Sequence, residues 1–301
     1  MNYLFFGTPD FSAHCLEVLL EHDFVPRAIV TNPDRPFGRK KILTPPPVKM
    51  TAMAWNRGAH DNDNNNHDKR SDADYDIAIL QPEKIDGAFR EKLREFEPDL
   101  FIVFAYNKIL RQETLDIPAK GVIGVHPSFL PEYRGPSPFQ TALLDGEIKT
   151  GVTLYLLDPG IDSGPVVAVS NPVAIAPEDN FTSLAFKLAD AGANLLVQTL
   201  PGFLAGEIKP KPQDESRATY TKKFHTEDGF VEESDLAAAE QGDSKKSKII
   251  FNKIRAFTPE PGAWTIRSGK RLKLLEAKIE NGALRLMTTQ EEGQKAKSHG
   301  Q

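Results

Sequence analysis

A single cysteine in 301 residues rules out an internal disulfide. With no set of Cys partners, the seven scattered histidines lack the spacing of a structural zinc site, so no metal is expected. No run approaches the eighteen or so consecutive apolar residues that a bilayer-spanning helix needs. The apolar start reaches Gly7-Thr8-Pro9-Asp10 too soon to be a secretory signal. A reducing, cytoplasmic setting without membrane contact is therefore expected. G-x-G-x-x-G and G-x-x-x-x-G-K-[ST] are both missing, which disfavours a dinucleotide or P-loop nucleotide site. There are no internal repeats.

What is present is ordinary for a globular chain, 40% hydrophobic and 26% charged, and long enough for one large or two modest domains. The charge is uneven. From Lys245 to Gln301 there are thirteen Lys/Arg against five Asp/Glu, a local +8, which leaves −13 on the first 244 residues. A basic appendage on an acidic body suits a polyanionic partner such as nucleic acid, although a solvated charged tail would show the same composition.

Strand-like runs alternate with helical periodicity: residues 2 to 6 before the apolar face of Phe11, Cys15, Leu16, Leu19 and Leu20, Ala28 to Thr31 before Val48 to Trp55, Ile77 to Leu80 before Ile85 to Phe96, and then Leu100 to Ala105. This pattern predicts an α/β fold, a Rossmann-like, mostly parallel sheet with helices on both faces. Val122 to His126 and Val152 to Leu157 add strands, and Phe181 to Leu200 a long helix. A catalytic domain over 1–204, a linker over 205–222 and a small, mainly β domain over 223–301 follow from the Pro/Gly/Lys-rich break and the later strand-like runs. Residues 56–76, rich in Asn and Asp, are expected to be a disordered insert. Asp61-x-Asp63-x-Asn65 followed by Asp72 mimics part of a calcium loop, but Asn66 stands where that loop needs Gly and its final Glu is absent.

Ligands of open α/β sheets bind at the carboxyl ends of strands. His126 is the histidine at such an end, and Asp162 lies in a Gly-rich loop after the next strand, where neighbouring strands would bring the two together. A carboxylate beside an imidazole orients it and favours its protonated form, which suits an acid/base step. Either residue alone reads equally well as structural, a hydrogen-bonded strand-end His or an Asp capping its own turn.

Phe6-Gly7-Thr8-Pro9-Asp10-Phe11, Pro33-Asp34-Arg35-Pro36-x-Gly38-Arg39, Ala105-Tyr106-x-x-Ile109-Leu110, Val125-His126-x-Ser128-x-Leu130-Pro131-x-x-Arg134-Gly135, Thr150-Gly151-Val152-Thr153 and Asp158-x-Gly160-x-Asp162-x-Gly164 together resemble the methionyl-tRNA formyltransferases. Downstream, Ile254-Arg255-Ala256-Phe257-x-Pro259-x-Pro261-x-x-Trp264 resembles the start of their second, oligonucleotide-binding-fold-like (OB-like) domain. The resemblance implies a formyltransferase fold and transfer of a formyl group from 10-formyltetrahydrofolate to the α-amino group of methionine on initiator tRNA, by a monomer. His126 would relay the proton, Asp162 would hold and polarise it, and Ser128, Phe129, Leu130 and Pro131 would line the folate pocket. The basic loop with Arg35, Arg39, Lys40 and Lys41 would enter the tRNA acceptor end, and Lys245, Lys246, Lys248 and Arg255 would add phosphate contacts.

The chain departs from the pattern in three places. The family has Asn two residues before its catalytic His, donating to the developing oxyanion, where this chain has Gly124. Losing such a donor costs on the order of a hundred- to a thousand-fold. The amide of Asn107, at the end of the preceding strand, is the expected substitute. The insert is expected to leave the site intact. The family's final packing segment is not found after Met287, which suggests a shortened second domain. Two other functions stay open: an impaired homologue that binds tRNA or folate without turnover, and an N-formyltransferase of a nucleotide-linked amino sugar.

Overall fold

The computed structural model describes residues 1–38, 40–61 and 76–299. Two compact units are resolved, neither contiguous in sequence: the first takes Met1–Pro131, Gly151–Asn171 and Leu188–Ala218, the second Glu132–Thr150, Pro172–Lys187 and Thr219–Gln301.

In the first unit the chain runs β1 (Tyr3–Gly7), α1 (Asp10–Glu21), β2 (Ala28–Val30), β3 (Arg35–Phe37), β4 (Ile42–Thr44), α2 (Pro47–Asp61), β5 (Ala78–Leu80), α3 (Gly87–Arg94), β6 (Leu100–Phe104), α4 (Gln112–Leu115) and β7 (Val122–His126). After α5 (Pro138–Asp145) and β8 (Lys149–Thr150) of the second unit, β9 (Thr153–Leu156) and β10 (Val166–Val169) return to the first. Seven strands form one sheet in the order β10-β9-β7-β6-β1-β2-β5. From β7 to β5 every pairing is parallel, whereas the β7–β9 and β9–β10 pairings are antiparallel. All five residues of β1 and of β7 are buried, as expected of strands covered on both faces. Cys15 sits in this core on α1, and burial pushes its thiol well above the usual range, so it packs as an inert apolar group.

Helix α2 runs past residue 56, where the insert is expected to start. The Asn56 amide donates to the Ile77 carbonyl at 3.1 Å and accepts from the Ile77 N–H at 2.9 Å. Arg39 and the calcium-loop-like residues Asp63, Asn65, Asn66 and Asp72 lie outside the described residues. The segment expected to be a linker adds to the sheet edge: Val166 and Lys211 exchange both backbone hydrogen bonds, at 2.7 and 2.8 Å.

The second unit holds β11 (Val173–Ala174), paired with β8, then α7 (Glu233–Glu240) and α8 (Ser244–Phe257) packed on an antiparallel sheet of β12 (Ala263–Arg267), β13 (Lys270–Glu280), β14 (Ala283–Glu291) and β15 (Lys297–Ser298). The long helix α6 (Phe181–Leu204) contributes to both units. The β13–β14 turn, Asn281-Gly282, has φ of 50° and 81°, the left-handed pair that Asn-Gly adopts readily in a tight hairpin. Its core gathers Leu236, Ile250, Ile254, Leu274 and Leu284. Among the described residues, no helix is long and apolar enough to cross a membrane.

Candidate active site

The carboxyl end of β7 presents His126 on the same sheet face as Gly124, two residues earlier. Their cross-strand partners on β9 are Thr153 and Tyr155 respectively. Because β9 is antiparallel, its chain leaves toward the opposite end of β7, and the loop after it returns to bring Asp162 against His126. The contact is Nδ1 to Oδ2 at 3.5 Å, with both side chains largely buried. Asp162 itself has φ of 48°, a left-handed conformation costly for a residue with a side chain and maintained only where the surroundings fix it. Gln213 is one such restraint, its Nε2 donating to the Asp162 carbonyl at 2.9 Å and to the Gly164 carbonyl at 2.7 Å. The Tyr155 hydroxyl is another, donating to Asp162 Oδ1. Burial, and then the neighbouring Asp162 charge, pushes the Tyr155 phenol well above its usual range, so it remains protonated and a donor.

Beyond His126 the chain turns at once, the Ser128 N–H reaching the His126 carbonyl at 2.9 Å. Thr153 then fixes the following segment: its hydroxyl donates to the Ser128 carbonyl at 2.7 Å and accepts from the Leu130 N–H at 3.0 Å. The Phe129 ring lies on Gly151, where an added Cβ would stand 2.1 Å from the ring. Residues 128–131 thus form a rigid, largely apolar wall running from the imidazole, with their backbone groups partly spent on holding it.

Residues 1–200 match the family model described as Formyl transferase, and residues 244–296 the one described as Formyl transferase, C-terminal domain. The chain belongs to the formyl transferase family. Two curated relatives, both methionyl-tRNA formyltransferases, support the assignment. That of Chloroflexus aurantiacus is 42% identical over 282 residues, 93% of this chain and 80% of that protein. That of Kosmotoga olearia is 39% identical over 280 residues, again 93% of this chain and 80% of that one. A solved methionyl-tRNA formyltransferase from Clostridium thermocellum, 17% identical, shares the fold with a TM-score of 0.60 over 97% of this chain and 98% of that one.

A formyl transferase needs an acid/base group beside an acyl acceptor, and His126 with Asp162 is the pair that the structure brings together. The other expected site residues are distributed differently. Asn107 is exposed and its Oδ1 accepts from Asn32 Nδ2 at 3.0 Å, so its amide is anchored to the end of β2. Gly124 does not leave a gap: a Cβ there would stand 2.4 Å from Tyr155 Cε1 and 2.5 Å from Leu157 Cδ1. The basic loop is a β3–β4 hairpin that also exposes Phe37, Ile42 and Leu43. Lys40 and Lys41 are exposed at its tip, and Arg35 pairs with Glu83 at 2.5 Å.

In the second unit Lys245 and Lys248 are exposed on the first turns of α8, and Lys246 pairs with Asp235 at 2.8 Å. Arg255 is committed inward: its Nε donates to Asn252 at 3.0 Å and its guanidinium lies 5.5 Å from the centre of the Phe251 ring. The Arg134-Gly135 part of the long motif is structural as well, with Arg134 fully buried, exchanging backbone bonds with Thr219 and Thr221 and donating to the Tyr220 hydroxyl at 3.1 Å. The sequence pattern missed Tyr155 and Gln213. For Tyr155 a signal was available, a large polar aromatic facing the one glycine of a strand otherwise without small residues. Gln213 carried none.

Proposed function

We propose that this formyl transferase moves the formyl group of 10-formyltetrahydrofolate to the α-amino group of methionine on initiator tRNA. The observation that carries the reading is the contact of His126 with Asp162 beside the 128–131 wall, in a chain whose relatives of this name match along 93% of its length.

The co-substrate supplies the formyl carbon. For acyl transfer the attacking amine loses a proton and the departing tetrahydrofolate nitrogen gains one. His126 can carry the same proton between them through Nε2 while Nδ1 faces the Asp162 carboxylate, which stabilises the imidazolium that forms in between. The wall is the proposed seat of the flat folate ring: Phe129 is its half-buried apolar side chain, Leu130 and Pro131 are buried, and Thr153 and Gly151 hold the segment in place. Such preorganisation lowers the entropic cost of placing the formyl carbon near the imidazole.

Recognition of tRNA is assigned to the β3–β4 hairpin and to the start of α8. Lys245 lies on the first turn of α8 and Lys248 about one turn further on, both exposed beside the Asp243 cap. The first backbone N–H groups of α8 are already taken by the Asp243 carboxylate, which accepts from the Lys245 and Lys246 N–H at 3.1 Å, so a phosphate would be met there by the exposed lysine side chains. The residues at 223–301 are on this reading a nucleic-acid-binding domain.

The test is formyl transfer from 10-formyltetrahydrofolate to charged initiator tRNA by the native chain and by His126→Ala. Turnover that disappears in the variant supports the reading. A native chain that binds tRNA in a salt-dependent way but transfers nothing would make it a binding homologue, and transfer to a nucleotide-linked amino sugar alone would replace the acceptor.

A further inference from the structure

We propose that Tyr155 is a positioning residue of the active site: its hydroxyl holds the Asp162 carboxylate in place beside His126, and Gly124 is the residue that makes room for its ring. The proposal rests on the formyl-transfer reading and adds to it a residue on which the acid/base pair depends.

Three independent features converge on Tyr155. First, Asp162 is carried by a loop rather than a strand, and it reaches its imidazole at 3.5 Å, too long for a strong hydrogen bond to fix the carboxylate by itself. The phenol makes the tighter contact on the other carboxylate oxygen. Oδ1 held by tyrosine and Oδ2 facing histidine fix the rotation of the carboxylate, which neither contact does alone. Second, the ring is 6% exposed and stands edge-on to the imidazole, centroids 6.2 Å apart at 87°, so it also packs beside the group whose partner it holds. Third, the cross-strand partner of Tyr155 is Gly124, and the ring occupies the volume that any side chain at 124 would need.

The charged groups facing the phenol are Asp162 and Asp158 of the returning loop. Asp158 is occupied locally, accepting from Ser163 Oγ at 2.9 Å and from the Gly160 N–H at 3.0 Å. The phenol hydrogen goes to Asp162. A tyrosine hydroxyl has one hydrogen to give, so Tyr155 acts through Asp162 and His126 and not by donating to a reacting atom.

Tyr155→Phe keeps the ring and removes the hydroxyl, and the full chain is compared with and without it. The expected result is a kcat for formyl transfer lower by on the order of ten- to a hundredfold, the cost of a slightly misplaced catalytic pair. KM for both substrates should stay within about twofold, since no substrate contact is lost. The titration of His126, followed by NMR of the labelled imidazole, should move to lower pH, because a carboxylate free to turn away supports the imidazolium less. An unchanged kcat, a loss confined to KM, an unfolded variant, or a His126 titration that stays or rises would each overturn the proposal. If the native chain transfers no formyl group, the functional reading fails. The His126 titration, which needs no turnover, still decides for or against Tyr155.

Discussion

Adding one methyl group at Gly124 should disable the site from inside the sheet. Gly124 has no left-handed backbone to preserve, so Gly124→Ala is a purely steric perturbation. The new Cβ would lie 2.4 Å from Tyr155 Cε1, 2.8 Å from Tyr155 Cζ and 2.5 Å from Leu157 Cδ1, against an ordinary carbon-carbon approach of about 3.5–4.0 Å. Leu157 can yield by rotating its side-chain end. The Tyr155 ring cannot, because it is rigid, buried and tied to Asp162. Overpacking of this kind costs about 1–3 kcal/mol, or a fall of roughly 2–12 °C in the unfolding midpoint for a domain of this size. Tyr155 would shift and take the Asp162 carboxylate with it, so kcat should fall by about tenfold or more. The control is Gly58→Ala in α2, where a Cβ meets nothing within 4 Å. That change should raise stability by about 0.5–1 kcal/mol through helix propensity and leave kcat alone. Thermal unfolding and formyl-transfer kinetics of both variants decide the matter. A Gly124→Ala chain that matches the native one in midpoint and in kcat would refute the steric account of this position.

Gln213→Ala removes both bonds that pin the Asp162 loop and should lower kcat by about tenfold with little change in KM; parallel effects on kcat and KM would show a more general disruption. Replacing Lys245, Lys246 and Lys248 together by Ala should flatten the dependence of log tRNA affinity on log salt by about one unit for each lysine that meets a phosphate, with Lys246 contributing least because Asp235 already holds it; an unchanged slope places the tRNA elsewhere. Burial raises the affinity of Asp179 for its proton, but bonds from Lys187 (2.6 Å), Ser183 Oγ (2.8 Å) and the Ala176 N–H (2.7 Å) more than offset it and hold this carboxyl below its usual value of 3.8. Its stabilising effect is therefore complete above about pH 4 and is lost as pH falls through the lowered value. Asp179→Asn should cost about 1–3 kcal/mol near neutrality, and the gap to the native chain should narrow below pH 4 in acid unfolding; a constant gap would place the effect outside the charge.

The parallel half of the sheet was legible because each of its strands is a continuous apolar run followed by a helical period, a pattern that fixes both type and order. The direction of β9 was not, since Val152 to Leu157 carries the same residues whichever way it runs. The sequence pattern therefore implies the Asp162–His126 pair through a shared strand end, whereas in the fold a returning loop makes the contact. The β3–β4 hairpin read as a loop because its three-residue strands are exposed on both sides and show no alternation. Helix α7 leaves no apolar period for a similar reason, with Leu236 the one large apolar residue among alanines and acids. Arg255 carries the charge of a phosphate contact, and charge alone does not distinguish that from a guanidinium spent on the Asn252, Ala176 and Leu143 oxygens and the Phe251 ring. The roles of Gln213 and of the Lys211 bridge depend on where a distant segment docks, and no local period encodes that.

Tyr155 also changes what the departure at Gly124 means. Taken alone, glycine at the position where the family carries an oxyanion-donating Asn is a missing hydrogen bond, and restoring Asn should accelerate the enzyme. With Tyr155 in that volume, Gly124→Asn meets the same ring as Gly124→Ala and must slow it instead. The phenol cannot replace the missing donor, because its single hydrogen is already given to Asp162. On the proposed reading, Tyr155 at this position serves the His126–Asp162 pair and not the reacting carbonyl, which leaves the oxyanion to donors outside the β7–β9 pair. Asn107 is the side chain proposed for that role, with its oxygen engaged by Asn32, so its NH2 group is the part able to donate. Asn107→Ala should then cost on the order of a hundredfold in kcat. An unaltered rate would assign the oxyanion to backbone N–H groups or solvent, and would make the Tyr155–Asp162–His126 chain the main contribution of side chains to the step.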